Sequence, residues 1–384
     1  MKAYVVGGAV RDRLLGSAVN DRDWVVVGAT PQQMLQAGYT PVGRDFPVFL
    51  HPTTHEQYAL ARTERKAAPG YHGFVFHTAP DVTLQQDLAR RDLTINAIAE
   101  DPDSGELIDP FGGRRDIEQR VLRHVSGAFA EDPVRLLRLA RFAARWPQFT
   151  VAPETATLLK RLVDSGEVDA LVSERVWQEV SRGLSEVQPS RMIEVLRGAG
   201  ALARLAPSLE AWLADAGRYV PLMRVLDAAP AAPPGLRFAL LCHGLAGDAS
   251  ASPLQALCER WRVDAETGAL AQLVAREWPR LGQAGAWGPE DALALLERAD
   301  AWRRPSRIEV AVQAWSLLAE LRSVAEQPAL RQRCAQQLSA LRAAQAVTTA
   351  ALPGALLNSG DGPAIGRALR AARLQAVARI WTAG

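Results

Sequence analysis

Residues 20–27 read Asn20-Asp21-Arg22-Asp23-Trp24-Val25-Val26-Val27. Three valines behind a tryptophan favour an extended strand, because β-branched and aromatic side chains pack well on a pleated surface. Side chains of a strand alternate between its two faces, so Asp21 and Asp23 are expected to point the same way. Like charges side by side on one face are costly unless a cation lies between them. The stretch therefore raises two expectations: a strand that begins in acids, and a cation held by those acids. A solvated strand edge, with Asn20 and Arg22 as ordinary turn residues, is the plainer alternative.

The sequence on either side bears on that choice. Upstream, Ala3-Tyr4-Val5-Val6 runs into Gly7-Gly8 and then into an expected helix over 9–15, ended by Gly16. Backbone N–H groups at a glycine turn that opens a helix can cradle a phosphate. Two acids on one face beside such a cradle suit Mg²⁺, which takes carboxylates together with substrate phosphate oxygens. Two such ions, about 3.5–4 Å apart, stabilise the attacking and leaving oxygens of phosphoryl transfer.

Downstream, Arg90-Arg91-Asp92-Leu93-Thr94-Ile95-Asn96-Ala97-Ile98 follows Leu84 and Leu88. The apolar spacing predicts helical segments, with Arg91 and Asp92 near a polar face that a salt-bridged surface would also explain. Farther on, Glu131-Asp132-Pro133 precedes an apolar helix, and Asp-Pro suits its first positions. Arg135, Arg138, Arg141 and Arg145 step by three, three and four, which lays them along one face. A bland surface helix would interleave glutamates there, so the stripe asks for an anionic ligand.

Across its 384 residues the chain is 48% hydrophobic, with a net charge of only +2, so a polyanion must be met by local patches. Cys242, Cys258 and Cys334 form no paired motif and read as buried thiols of a reducing compartment. The N-terminus lacks the pattern of a signal peptide and no apolar run approaches a membrane span, which together predict a cytoplasmic protein. Short β-like runs, AYVV (3–6), DWVVV (23–27), PVFL (47–50) and QYALA (57–61), occupy the first 125 residues. Beyond 130 the apolar period becomes helical. The expected architecture is α+β, a mixed α/β head followed by a long helical remainder.

The ordered set GGAVRDRLLG, DRDWVVVG, GRDFPVFLHP, YALARTERK, RRDLTINAIA, DPFGGRRDI and EDPVRLLRLARFAAR resembles the bacterial class II tRNA nucleotidyltransferases. These are the CCA-adding enzymes, within the polymerase-β-like nucleotidyltransferase superfamily. The likeness is dense over 1–210, and thins through DAWRRPSRIE (300–309) to IGRALRAARLQAVARIW (365–381). It implies a nucleotidyltransferase head over 1–125 and an all-α neck with base recognition over 126–210. A helical body follows over 211–325, and a tail that contacts tRNA over 326–384. The implied activity is template-independent addition and repair of the tRNA 3′-terminal CCA from CTP and ATP, with Mg²⁺, releasing pyrophosphate. Asp21 and Asp23 would hold the metal. Gly8, Arg11, Arg91, Arg138 and Arg141 would contact the triphosphate, and Asp132 with Arg135 the base edge. A carboxylate accepts from the exocyclic amine that C and A share, and a guanidinium donates to the adjacent ring acceptor.

Two departures stand out. The family often carries a third acid on the strand before its TxR-like segment, and here Glu56 and Gln57 both compete for that place. Many relatives also carry an HD phosphohydrolase module. Its counterpart here reads Cys242-His243-Gly244, and no histidine follows His243. Several His ligands cannot be drawn from one, so this body is expected to be a degenerate, structural HD-like module. Readings that stay open are a bacterial poly(A) polymerase, an enzyme adding only CC or only A, and a non-catalytic RNA-binding protein.

Overall fold

The computed structural model describes the chain except residues 20, 43–47, 67–73, 248–251, 284–286, 359 and 383–384. Asn20 and the Gly43–Pro47 part of the GRDFPVFLHP motif thus lie outside the described residues. Two compact units emerge, one of residues 1–183 with 191–205, the other of 184–190 with 206–384.

The first unit opens with β1 (Lys2–Val6), α1 (Gly8–Leu14), β2 (Asp23–Val27), α2 (Pro31–Gln36), β3 (Thr40–Val42), β4 (Val48–Leu50) and β5 (Gln57–Leu60). A hairpin, β6 (Thr63–Lys66) with β7 (Phe74–His77), leads to α3 (Leu84–Ala89), β8 (Ala99–Glu100) and β9 (Leu107–Ile108). Seven of these strands form one mixed sheet in the order β3-β4-β5-β2-β1-β8-β9. β1 and β2 run antiparallel with Val6 opposite Asp23, and β5 runs parallel to β2 with Gln57 beside Asp23. Both faces of the sheet are covered. Val6, Val25, Leu88 and Ala97 share one cluster, while Val26, Met34, Phe49 and Leu60 share the other. Consecutive Val25 and Val26 therefore serve opposite cores, which explains an unbroken apolar run in place of alternation.

The strand starts later than its acids suggested. Val6 is the last residue of β1 to pair, because Gly7 turns away at φ +70° into α1, so Asp21 has no ladder partner and precedes the strand. The segment around Arg91 also departs from expectation. α3 stops at Ala89, Leu93 bridges to His124, residues 94–96 make a single 3₁₀ turn, and Ala99 enters the sheet. Ile95 and Ile98 are fully buried there, but not on one helix. The cause lies at α4 (Gly113–Gln119), where a Cβ on Gly113 would sit 2.2 Å from the Thr94 carbonyl oxygen. The two backbones touch, and an α-helical segment has no room.

β10 (Val121–Leu122), α5 (Val134–Arg145), β11 (Thr150–Val151), α6 (Pro153–Asp164), α7 (Ser173–Leu184), α8 (Pro189–Gly198) and α9 (Ala201–Leu205) follow. Asp132 Oδ1 accepts from the Val134 N–H at 3.1 Å, so the expected cap of α5 is present. The second unit is helical, with α10 (Pro207–Leu213), α11 (Ala216–Ala228), α12 (Pro234–Cys242), α13 (Pro253–Trp261), α14 (Ala265–Leu281), α15 (Pro289–Arg298), α16 (Pro305–Leu318), α17 (Gln327–Gln345), α18 (Gly354–Asn358) and α19 (Gly362–Thr382). α12 packs on α14 and α16, and its residues Leu236 and Phe238–Cys242 are fully buried, as an almost wholly apolar helix requires. Its buried Arg237 is satisfied by carbonyls, donating to Ala229, Leu184 and Glu186. All three cysteines are free and buried.

Candidate active site

A cavity of about 520 Å³ opens in the first unit where β1 ends and β2 and β5 begin. Gly7 and Gly8 form one wall. A Cβ on Gly7 would fall 2.7 Å from Arg91 Nη1, so the bare backbone is what lets that guanidinium lie against the turn. The first N–H groups of α1, beginning at Gly8, have no partner within the helix and remain available to an anion. Asp23, Gln57, Arg62, Arg90 and Arg91 continue the lining, and Asp132, Arg135, Arg138 and Arg175 complete it.

Positive charge on this wall is held in place by buried acids. Asp92 accepts from Leu93 N at 2.9 Å, from Asn96 Nδ2 at 2.8 Å and from Arg138 Nε at 2.9 Å. Burial pushes its carboxyl up, but Arg138 and the hydrogen bonds outweigh burial and hold it at about 2. Arg138 is raised in turn by the Asp92 charge. Asp87, fully buried, likewise ends below the usual carboxylate range, because Arg90 at 2.7 Å and Arg91 at 3.3 Å overcome its desolvation. Arg11 donates to Asn96 Oδ1 at 2.5 Å and to Asp12 at 2.9 Å, with its guanidinium over the Trp146 ring at 4.8 Å. Burial lowers its pKa.

The arginine stripe of α5 is therefore answered from within the protein. Arg135 donates to the Ala128 carbonyl, Arg138 to Asp92, and Arg145 meets Asp12 at 3.5 Å. Arg141 departs from expectation: it does not line the cavity, but is buried and donates to Glu179 Oε2 at 2.7 Å. Its place on the helix faces α7 instead of the opening. Arg175 is the functional candidate that the sequence reading missed. It grips Asp132 with both nitrogens, at 3.0 and 3.4 Å, from the same turn of α7 that carries Glu179. The signal was an Arg-Glu pair four apart, whose partners, Asp132 before α5 and Arg141 on it, only the fold reveals.

Asp23 lines the cavity, whereas Asp21 lies exposed just before β2 and is not among the lining residues. Neither carboxylate has a hydrogen bond or ion pair among the described residues, which leaves both able to bind a hard cation. Among the described residues, no group of three or more His, Cys, Asp or Glu side chains gathers to cage a metal there. Two free carboxylates without a cage fit Mg²⁺, which keeps waters and substrate oxygens in its shell. Of the rivals for the third acid, Gln57 lines the cavity beside Asp23, and Glu56 accepts instead from Thr54 Oγ1 at 3.1 Å.

Residues 3–123 match the poly A polymerase head domain, and 148–213 match the probable RNA and SrmB-binding site of polymerase A. Over 98% of its length the chain is 54% identical to the multifunctional CCA protein of Leptothrix cholodnii, covering 96% of that protein. The chain belongs to the multifunctional CCA protein family. The member from Variovorax paradoxus is 50% identical over 99% of this chain and all of its own length. The fold of this chain is shared with the Bacillus stearothermophilus CCA-adding enzyme solved with CTP (TM-score 0.68, 24% identity, 98% of this chain and 88% of that one). It is shared also with the Thermotoga maritima CCA-adding enzyme solved with tRNA (TM-score 0.62, 23% identity, 98% and 87%). No described helix of this family member is long and apolar enough to cross a membrane.

Proposed function

We propose that the protein adds and repairs the 3′-terminal CCA of tRNA from CTP and ATP. The observation that carries this reading is one cavity lined both by Asp23, an acid with no partner among the described residues, and by the Asp132–Arg175 pair. Relatives named for CCA addition, at about half identity over full length, support the same activity.

In this mechanism the triphosphate lies against the N–H groups at Gly8, with Arg91 and Arg138 alongside. The primer 3′-oxygen attacks the α-phosphorus, the bond from that phosphorus to the bridging oxygen breaks, and pyrophosphate leaves with the electron pair. Asp21 and Asp23 would hold Mg²⁺, which would neutralise charge and ease loss of the hydroxyl proton to water. The rest is positioning, as phosphoryl transfer generally demands. Asp132 accepts from the exocyclic amine of C or A, and Arg135 donates to the adjacent ring atom. A carboxylate has about four acceptor positions, so Arg175 can orient Asp132 and leave it an oxygen lone pair for the base. G and U present the opposite pattern and are refused. The helical unit supplies shape and phosphate contacts to the tRNA acceptor arm, with the body (211–325) and tail (326–384) as successive parts. Three buried free thiols support a cytoplasmic setting.

The deciding experiment offers labelled CTP and ATP separately to tRNAs that end before C, after C, after CC and after CCA. Stepwise completion that stops at A is expected. Long A tails would favour a poly(A) polymerase, and no incorporation at all with Mg²⁺ would overturn every catalytic reading.

A further inference from the structure

The helical unit contains a cavity of its own, about 310 Å³, walled by Trp212, Asp215, Arg218, His243, Trp278 and Arg322. It occupies the place where an HD metal site would be sought, but its chemistry is inverted. A Cβ on Gly244 would lie 2.0 Å from the Trp212 ring, so the indole fills the space an aspartate side chain would need. His243 stands edge-on to Trp212 at 4.9 Å and to Trp278 at 6.4 Å.

The charges that remain are cations. Arg322 lies over the Trp278 ring at 5.3 Å, and its guanidinium has no hydrogen bond or ion pair among the described residues. Glu326, the acid whose charge it influences, is turned to Ser323, accepting from the hydroxyl at 2.6 Å and the N–H at 3.1 Å. Arg218 lies over Trp212 at 5.0 Å and donates to the Trp212 carbonyl. Asp215 is the acid on the rim. It is engaged by the Gly217 N–H at 2.8 Å and by Arg218 at 3.8 Å. His243 bonds through Nδ1 to the Leu240 carbonyl at 2.8 Å, leaving Nε2 without a partner among the described residues. Burial, and then the two arginines, push this imidazole down to about 4, so it is neutral and Nε2 is an acceptor. A half-buried arginine stacked on an indole, with no carboxylate against it among the described residues, is suited to receive an anion.

We propose that this cavity is a metal-free phosphate site, in which Arg322 and Arg218 hold the oxyanion and His243 Nε2 accepts from a hydroxyl on the same ligand. The inference stands on the helical unit alone and does not depend on the activity proposed for the head. The ligand chemistry is a phosphate group, carried either by RNA or by a free phosphate.

The test follows the His243 imidazole nitrogens by NMR in the full-length protein, assigned with His243→Gln. Inorganic phosphate is added at constant ionic strength, and an RNA hairpin in a parallel series. A saturable shift of Nε2 is expected in the wild type, weakened at least tenfold in Arg322→Gln. Arg218→Gln, at a more exposed side chain, should weaken it in the same direction and serves if Arg322→Gln fails to fold. A shift reached at lower concentration with RNA identifies the RNA backbone as the source; a shift with phosphate alone identifies the free ion. No saturable shift with either ligand, or one unchanged in both folded variants, would overturn the proposal.

Discussion

The two cavities of this protein are both lined by arginine, but they differ in what is left unpaired. In the first unit nearly every guanidinium on the wall is matched, Arg90 and Arg91 by Asp87, Arg138 by Asp92, Arg175 by Asp132. The Asp23 carboxylate on that wall has no partner among the described residues, and neither does Asp21, which precedes β2. In the helical unit the acid on the rim is engaged, and the Arg322 guanidinium and His243 Nε2 have no partner among the described residues. Pairing fixes a cation's position at the expense of its availability, whereas an unpaired group is poised for a ligand of opposite charge. On the readings proposed above, one cavity receives a cation together with a nucleotide, and the other an anion alone.

Breaking that contrast should cost most where the free acids lie. Asp23→Ala is expected to lower CTP and ATP incorporation on the order of 10³-fold, the scale for removing a principal electrostatic element from an active site. Binding of tRNA should persist, because RNA affinity comes mainly from phosphate contacts elsewhere. Retention of full activity in Asp21→Ala combined with Asp23→Ala would refute the metal assignment.

Next in size is the matched wall. Asp92→Ala strands Arg138, and breaking a buried pair generally costs about 3–5 kcal/mol. Arg138 is 39% exposed, so water recovers part of this and about 2–3 kcal/mol is expected, read as a lower urea midpoint. The pH dependence has a definite sign. The folded Asp92 carboxyl sits at about 2, below its unfolded value of about 3.9. Its contribution is fully present above about pH 4 and disappears as pH falls towards 2. The wild type should therefore lose its advantage over Asp92→Ala across that window.

Arg175→Ala acts on recognition. With its bidentate partner gone, Asp132 keeps the cap to Val134 but loses the contact that fixes its plane. A fall of about 10–100-fold in kcat/KM for CTP and ATP is expected, with weaker rejection of UTP. Arg175→Lys should recover little, since an ammonium cannot reproduce the two-point grip.

How much of this was legible in the sequence depends on the range of each interaction. The strand DWVVV, the glycine turn into α1 and the Asp132 cap involve residues within a few positions of each other, and local pattern sufficed. The start of β2 did not follow from local pattern, because its ladder ends where Gly7 turns the opposite strand away. The pairs Arg138–Asp92, Arg175–Asp132 and Arg141–Glu179 join residues 46, 43 and 38 positions apart. An arginine stripe announces a need for negative charge but not its source. For that reason the stripe did not separate Arg141 from Arg138, and Asp92 could equally be read as part of a salt-bridged surface.

The smallest expected effect concerns Gln57, beside Asp23 in the parallel ladder and on the same cavity. An amide there supplies one neutral oxygen where an acid would supply charge. A carboxylate and a divalent cation about 4 Å apart in water interact by about 2 kcal/mol, which physiological salt screens to about 1 kcal/mol, so Gln57→Glu should tighten the cation by about fivefold. The Mg²⁺ concentration for half-maximal incorporation should fall by that factor, while the maximal rate changes little. Glu56→Gln is the control, since its carboxylate is engaged by Thr54 and does not line the cavity. A larger Mg²⁺ shift in Glu56→Gln than in Gln57→Glu would mean that the third ligand comes from Glu56, with the strand end rearranging when the metal binds.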